Sequence, residues 1–423
     1  MTEQNRIVVI GGGPAGIMAA FSAKHHHPEH AVMILDKEAE LGRKLCISGS
    51  GRGNLTNKNL TKNISSSFYT HHPVVFSVFE QFGYDDIRSF FEMMGIPLYE
   101  EEKTKKGKIY PVVDHAKTVR DILVDSLTNA GVIIATHTSV TKLLYKQDEW
   151  TIETNNNTYK TDSIIIATGG KSYPALGADG SGYALLFSLG HTIIPPVPTA
   201  VPIVSKNQLP HLLQGEKYVM KVDVMIDNKV VQSEIGDVLF TQYGLSGSAI
   251  LEVSRAISIA LHREQKKNIV VRLSFFSDTT IKEVKQELEK RWDTHPEWLV
   301  SRSLWGMVTT KVANAVCMIA KFPKEKKSED LTSDERHNVL SILTAYELPV
   351  IDTRGWNEAE FTAGGISLDE IDATTLASKK VPHVYFAGEV LNVDGEIGGY
   401  NLSWAWASGW VAGKLQSFDT INI

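Results

Sequence analysis

The chain has 423 residues and a formal net charge of −6, with 43% hydrophobic and 22% charged residues. That composition supports two or three folded domains and excludes global disorder, while the acidic balance argues against nucleic-acid binding by bulk charge without excluding a local basic patch. Cys46 and Cys317 lie too far apart in sequence to suggest a disulfide framework, so a reduced, cytoplasmic setting is expected.

Arg6 and the apolar run to Ala23 carry the charge pattern of a secretory leader. Gly11-Gly12-Gly13-Pro14 interrupts the run, and no small-residue cleavage site follows, so it reads as part of the fold. No stretch has the roughly 18 continuous apolar residues of a membrane span, and no membrane association is expected. Residues 7–10 (Ile-Val-Val-Ile) predict a buried parallel strand, 14–26 a helix with small residues along one side, and Ala31–Leu35 a second strand ending at Asp36. Between the first strand and the helix sits Gly11-x-Gly13-x-x-Gly16. Gly11 suits a tight turn, Gly13 lets backbone approach a pyrophosphate, and Gly16 permits close helix–strand packing. With Pro14 and Ala15, these residues open a helix whose free N–H groups attract phosphate. Asp36 is placed to accept hydrogen bonds from ribose hydroxyls, with Lys37 beside it.

Residues 74–130 read as mostly helical; Val132–Val140, Trp150–Thr154 and Ser163–Ala167 read as strands. Val140 ends its strand where backbone approaches an adenine in related folds. The last strand runs into Ala167, Thr168 and Gly169, a further part of the expected nucleotide site. After His191, prolines cluster and short alternating runs follow, indicating a mostly β insert at about 195–276 and a charged helical part at about 280–346. From about Trp356 the strand–glycine pattern returns, with a strand at Val384–Ala387 and a last helix at Asn401–Leu415. The expected fold is α/β: a Rossmann-like FAD-binding domain formed by 1–190 and 356–423, interrupted by a substrate or cap domain at 191–355. FAD is favoured over NAD because Ala387-Gly388-Glu389 supplies a distal turn that can reach back to ribitol and flavin, which a simple NAD domain does not need.

Three other signals read as structural. His25-His26-His27 with His30 lacks an accompanying carboxylate or cysteine ligand set in the sequence reading, so no metal site is expected. No Cys-x-x-Cys occurs, which argues against a dithiol exchanger. Gly177-x-x-Gly180-x-Gly182 lacks the following acid-terminated strand of a second dinucleotide unit, so NAD(P)H is expected only as a transient visitor.

With these motifs in place, the chain resembles the YhiN/BaiN family of flavoproteins, also described as aminoacetone-oxidase-like or NAD(P)/FAD-dependent oxidoreductases. The resemblance rests on 8–16, on Gly42-Arg43-Lys44 running into 48–57, on 167–174, on Phe240-Thr241 with 244–247, on 362–365 and on 386–402, in the family's order along the whole chain. It implies that Gly42, Arg43, Lys44, Ser48, Gly49, Gly51, Arg52, Asn54 and Thr56 wrap the cofactor, the cations and backbone N–H groups of this loop suiting a pyrophosphate. It implies that Gly388 and Glu389 lie near the ribitol, and that Gly399, Asn401 and Leu402 set a helix N-terminus against the flavin pyrimidine. Trp404, Trp406 and Trp410 read as core. Gly53 stands where the family usually has cysteine, which argues against a thiol mechanism at that loop; Ser50 stands where glycine is common, and Asp36 where glutamate is common.

The implied activity is an FAD-dependent oxidoreductase in which NAD(P)H reduces the flavin and hydride passes to an activated C=C bond of an enone or uracil-like small molecule. Two alternatives stay open: a flavin amine oxidase using oxygen, and an RNA-binding flavoenzyme reducing uridine in ribosomal RNA. For the last, Lys103, Lys105, Lys106 and Lys108 and then Lys321, Lys324, Lys326 and Lys327 form two basic clusters. Tyr173, Tyr243 and Tyr400 are candidate proton donors.

Overall fold

The computed structural model describes residues 6–60, 69, 72–102 and 106–416. They form two compact units, one made of 1–196 with 361–423 and the other of 197–360.

The first unit is built on a five-stranded parallel sheet. Its strands are β1 (Arg6–Ile10), β2 (Ala31–Leu35), β3 (Ile133–Ala135), β4 (Ser163–Ile166) and β5 (Val384–Phe386), in the spatial order β5-β4-β1-β2-β3. Ile7 to Ile10 are buried without a break, as a strand covered on both faces requires, and pair in register with Ser163 to Ile166. The helices that matter for the site are α1 (Pro14–His26), α2 (Ala116–Asn129), α3 (Ser181–Ser188) and α4 (Tyr400–Gly413). Alpha1 and α4 pack closely because small residues face each other. A Cβ on Gly409 would stand 2.4 Å from the Ala15 carbonyl oxygen, and one on Gly413 2.5 Å from that of Ala19. Two small antiparallel sheets also belong to the unit. Val140–Lys146, Glu149–Thr154 and Thr158–Thr161 form one; Thr56–Asn57, Lys108–Pro111 and Leu98–Glu100 form the other.

The second unit holds a seven-stranded antiparallel sheet dominated by the hairpin Lys217–Ile226 and Lys229–Phe240. Alternate residues of the first hairpin strand, Met220, Val222 and Val224, point into its core. Helices Ser248–Ser258, Ile281–Thr294, Thr310–Ile319 and Ser333–Thr344 cover that core. Thr280 with Glu283 and Thr332 with Glu335 close reciprocal caps at two of the helix starts.

Four local readings change. Residues 74–130 are helical at Pro73–Gln81, Tyr84–Met93 and α2, but the hairpin Leu98–Glu100 and Lys108–Pro111 lies between them. Its partner is the distant Thr56–Asn57, invisible to local periodicity. The run Val132–Val140 is two strands, so Val140 opens the second and does not end the first. Two of the short alternating runs expected after His191 merge into one continuous strand, Lys229–Phe240. Finally, helix Ser248–Ser258 falls inside the stretch read as mostly β, its Ala249, Ile250, Val253 and Ile257 buried at helical spacing.

Candidate active site

The glycine loop stands at the end of β1, and each glycine has a different neighbour. A Cβ on Gly16 would lie 1.8 Å from the Gly11 carbonyl oxygen, so the loop and α1 can approach this closely only with hydrogen there. A Cβ on Gly13 would meet nothing within 4 Å. Gly13 caps α1 without a side-chain acceptor and Pro14 follows, so the first-turn N–H groups face that open space. Asp36 closes one side. Its two carboxylate oxygens accept the Gly12 N–H at 2.5 Å and the Glu38 N–H at 2.7 Å. Burial pushes its carboxyl above the usual range, partly opposed by these two donors. Each oxygen keeps a second lone pair for a ribose hydroxyl. Thr138 donates its N–H to the Asp36 carbonyl at 2.8 Å, which brings the turn before Val140 beside this acid.

The distal turn completes the wall. Gly388 faces Ala15, with 2.7 Å between the Ala15 Cβ and the place a Gly388 Cβ would take. Glu389 then gathers residues from three other segments. It accepts the Thr362 N–H at 2.7 Å and the Lys44 ammonium at 3.0 Å, and Lys44 also donates to the Ser172 hydroxyl. Thr362 Oγ1 accepts the N–H groups of Lys171 at 2.8 Å and Ser172 at 3.2 Å. Ser172 and Thr362 were missed as site residues. Both lie within segments that resemble the family, but only the fold shows that they converge.

The 48–57 loop winds through successive left-handed residues: Gly49, Ser50, Gly51 and Gly53 all have φ between 54° and 84°. A cysteine at position 53 would carry its Cβ at left-handed φ and 3.3 Å from that of Ala116. Cys46 is half-buried, and burial raises its pKa, which disfavours the thiolate. The loop is held by α4. Trp406 donates its indole N–H to the Leu55 carbonyl at 3.0 Å, and the Thr56 and Ser403 hydroxyls meet at 2.8 Å. Trp404 donates to the Gly388 carbonyl at 3.1 Å, while the Gly388 N–H reaches the Ser408 hydroxyl at 2.9 Å. Trp404 and Trp406 are buried and Trp410 is partly buried against the same core, and the first two also hold the 48–57 and 388 loops. Gly399, which caps α4, has φ 103°, and a Cβ there would be 2.5 Å from the Thr56 carbonyl oxygen.

Several expected phosphate-binding cations are otherwise engaged. Arg52 spans Glu101 at 2.7 Å, Asp114 at 3.2 Å and the Tyr99 hydroxyl at 2.6 Å, and its guanidinium lies 4.1 Å from the Tyr110 ring centre. These contacts tie the loop to the Leu98–Glu100/Lys108–Pro111 hairpin and its flanks. Arg43 pairs with Glu38, and Lys37 with Asp179 at 2.6 Å. Arg120, another residue missed from sequence, is buried beneath Gly42 and ties α2 to Glu40 and the Leu41 carbonyl. Asn401 exchanges hydrogen bonds with Gly395 and so closes the 395–401 loop, while Leu402 packs against the core. Ser48 bonds to the Leu45 carbonyl. Ala167 and Gly169 flank Thr168 at the end of β4.

The three tyrosines stand in different local settings. Tyr243 belongs to the second unit, under the Arg354 guanidinium at 4.4 Å. Tyr400 is buried edge-on to Tyr69, whose hydroxyl donates to the Tyr400 carbonyl at 2.7 Å. Tyr173 is half-exposed, with a left-handed φ of 56°. Of the basic clusters, Lys103 and Lys105 lie outside the described residues, while Lys326 pairs with Glu335 and Lys327 with Glu329. The stated ground for setting aside the histidines also changes: the turn after α1 places Glu29 with His27 and His30.

FAD fits these residues. An open helix N-terminus faces the pyrophosphate position, with a ribose acceptor beside it and a glycine turn backed by a carboxylate at the far wall. Three buried polar atoms, Asn54 Oδ1, Thr168 Oγ1 and the Tyr183 hydroxyl, have no protein partner among the described residues. Such atoms are costly unless a ligand or water satisfies them. Tyr183 was also missed; it opens α3 behind Gly180 and faces Glu389 closely enough to feel its charge.

Residues 5–415 match the family model described as HI0933-like protein Rossmann domain. The chain belongs to the HI0933-like family. Among relatives of this HI0933-like protein, a 3-dehydro-bile acid delta(4,6)-reductase from Clostridium scindens is 31% identical over 98% of this chain and 99% of its own length. A ribosomal RNA dihydrouridine synthase from Escherichia coli is 28% identical over 97% of this chain and 98% of its own. Among solved structures, a quinol-fumarate reductase with menaquinol is similar in fold, with a TM-score of 0.51 and 14% identity over 100% of this chain and 73% of that one. This HI0933-like protein is an FAD-dependent flavoprotein oxidoreductase with a Rossmann-like core. Among the described residues, no helix is long and apolar enough to cross a membrane.

Proposed function

We propose that the enzyme takes hydride from NAD(P)H and delivers it to a polarised C=C bond conjugated to a carbonyl, as in a steroid enone. The observation that carries this reading is the 31% identity to the bile-acid delta(4,6)-reductase across nearly the whole of both chains. Bound FAD supplies the centre that accepts and then donates the hydride. The chain's own part is to hold it. The α1 N-terminus and Asp36 take the adenosine diphosphate half, Glu389 with Lys44 fixes the distal turn, and α4 through Gly399 presents its positive end to the ring. Substrate choice belongs to the insert, residues 197–360, and the two free cysteines favour action in the cytoplasm.

A second reading keeps the same chemistry and changes the substrate. The uracil 5,6 double bond is also conjugated to a carbonyl, and the Escherichia coli relative is named a ribosomal RNA dihydrouridine synthase. The pairing of Lys326 and Lys327 with carboxylates weakens the basic patch this reading would use. Anaerobic stopped-flow reduction of the bound flavin by NADPH, NADH and aminoacetone tests the reaction class. Rapid reduction by a nicotinamide, with reoxidation by an enone, is expected. Reduction by aminoacetone alone, with oxygen as the oxidant, would establish an amine oxidase instead. Reoxidation by a ribosomal RNA fragment but not by an enone would favour the second reading.

A further inference from the structure

We propose that His27, Glu29 and His30 form a divalent-cation site of the Zn²⁺ class at the end of α1 remote from the glycine loop. Each residue offers a ligand atom, and these atoms lie within 4.8 Å of one another. Alpha1 has 13 residues, which at about 1.5 Å per residue sets this cluster roughly 20 Å from the phosphate-facing end of the helix. It is therefore separate from the flavin site.

The local chain prepares the ligands. Residues 27–30 form a turn closed by the His30 N–H on the His27 carbonyl at 3.0 Å, with Pro28 fixing its second position. Lys24 spends its ammonium on the Pro28 and His30 carbonyls, at 2.6 and 3.2 Å, and so braces the turn. The His27 and His30 rings stack with centres 5.1 Å apart and 7° between their planes, so binding requires one ring to turn until both in-plane lone pairs meet at the cation. His27 Nε2 lies 3.0 Å from the Lys414 carbonyl oxygen. A carbonyl can only accept, so Nε2 carries the proton and Nδ1 presents its lone pair. A backbone carbonyl orienting one ring nitrogen so that the other can bind is the usual support of a metal-bound histidine. His30 Nε2 already meets Glu29 Oε1 at 3.4 Å, a pair that a cation would bridge.

Two imidazoles and a carboxylate select Zn²⁺, Ni²⁺ or Cu²⁺ over Mg²⁺ and Ca²⁺, which prefer all-oxygen sets. Three protein ligands leave a position for water. Because His27 is anchored to Lys414, a bound cation also fastens the end of α1 to the residue just past α4.

The test uses the flavin-loaded full chain without an affinity tag, titrated with Zn²⁺ against a chromogenic chelator, with Mg²⁺ in parallel. One Zn²⁺ per chain at roughly micromolar affinity is expected. His27→Ala and His30→Ala should each weaken it at least about tenfold while the flavin spectrum stays unchanged. His30→Asn replaces His30→Ala if the latter does not fold. Zn²⁺ binding equal to wild type in both histidine variants, equal displacement by Mg²⁺, or no binding at roughly 100 µM Zn²⁺ would each overturn the site.

Discussion

Replacing Gly13 with alanine separates the cofactor's contribution to the glycine loop from the protein's own. Gly13 has φ −74° and ψ −178°, a conformation alanine adopts without strain, and its Cβ would meet no protein atom within 4 Å. In flavin-free protein the change has two small opposing effects. Alanine is a poorer N-cap than glycine, and it reduces unfolded-chain entropy, each by about 0.5–1 kcal/mol. The net shift in melting temperature should stay within about 2 °C. With the cofactor bound, the methyl group stands between the helix N-terminus and the pyrophosphate. Overpacking of this kind costs about 1–3 kcal/mol, or roughly a 5- to 150-fold loss of FAD affinity. Gly16→Ala supplies the contrast, because its methyl collides with the Gly11 carbonyl whether or not FAD is present. Fluorescence titration with FAD, alongside thermal unfolding of the flavin-free proteins, reads both quantities. Wild-type FAD affinity in Gly13→Ala would refute the assignment of that open space to the pyrophosphate. A large loss of flavin-free stability in the same variant would refute the packing account.

Three further outcomes follow from other parts of the site. Glu389→Gln leaves the Lys44 ammonium without its carboxylate in a mostly buried setting and should cost about 1–3 kcal/mol; unchanged urea midpoints would contradict the wall described here. Ser50→Gly relieves a left-handed residue, φ 58°, and should stabilise by about 0.5–1 kcal/mol after glycine's entropy is counted; differential scanning calorimetry should show a higher melting temperature, and a fall would argue against the loop geometry. The third concerns pH. His191 is buried between Glu370 at 3.1 Å and Ser378 at 3.0 Å, and burial lowers its pKa, although Glu370 pulls the other way. The unfolded chain then takes up a proton near pH 6.5 that the folded chain refuses, so this stability is complete above about pH 6.5 and is lost as pH falls below it. Burial pushes the Glu370 carboxyl up, but Lys380, Thr192 and His191 outweigh it and hold it at about 2, so it stays charged through this window. His191→Asn should flatten the decline in urea midpoint between pH 7 and pH 5, and parallel slopes would contradict this.

What could be read from sequence depended on how local the cause was. The β1–loop–α1–β2 unit was legible because its hydrophobic run, glycines and Asp36 lie within 30 residues and each has a backbone reason. The 42–57 and 386–402 segments could be assigned only through resemblance, since no short-range pattern tells a cofactor loop from a solvated one. The wall of Lys44, Ser172, Thr362 and Glu389 was not legible, because its members are up to 345 positions apart and are joined only by the fold. The ion pairs of Arg52 were hidden for the same reason. Its partners Glu101 and Asp114 arrive from a hairpin hidden inside a stretch with helical periodicity. Glu29 was not counted beside the histidines because it joins them only through the turn after α1.

The dependence of the flavin-facing loops on α4 bears on how the protein is made. Residues 197–360 are contiguous and enclose their own core, whereas the central sheet lacks its edge strand β5 until residue 386 has emerged. The indole donors that hold Leu55 and Gly388 are synthesised later still, at 406 and 404. A nascent chain therefore carries the glycine loop long before the residues that hold the rest of the pocket, and completion of the pocket waits for the last helix to be synthesised.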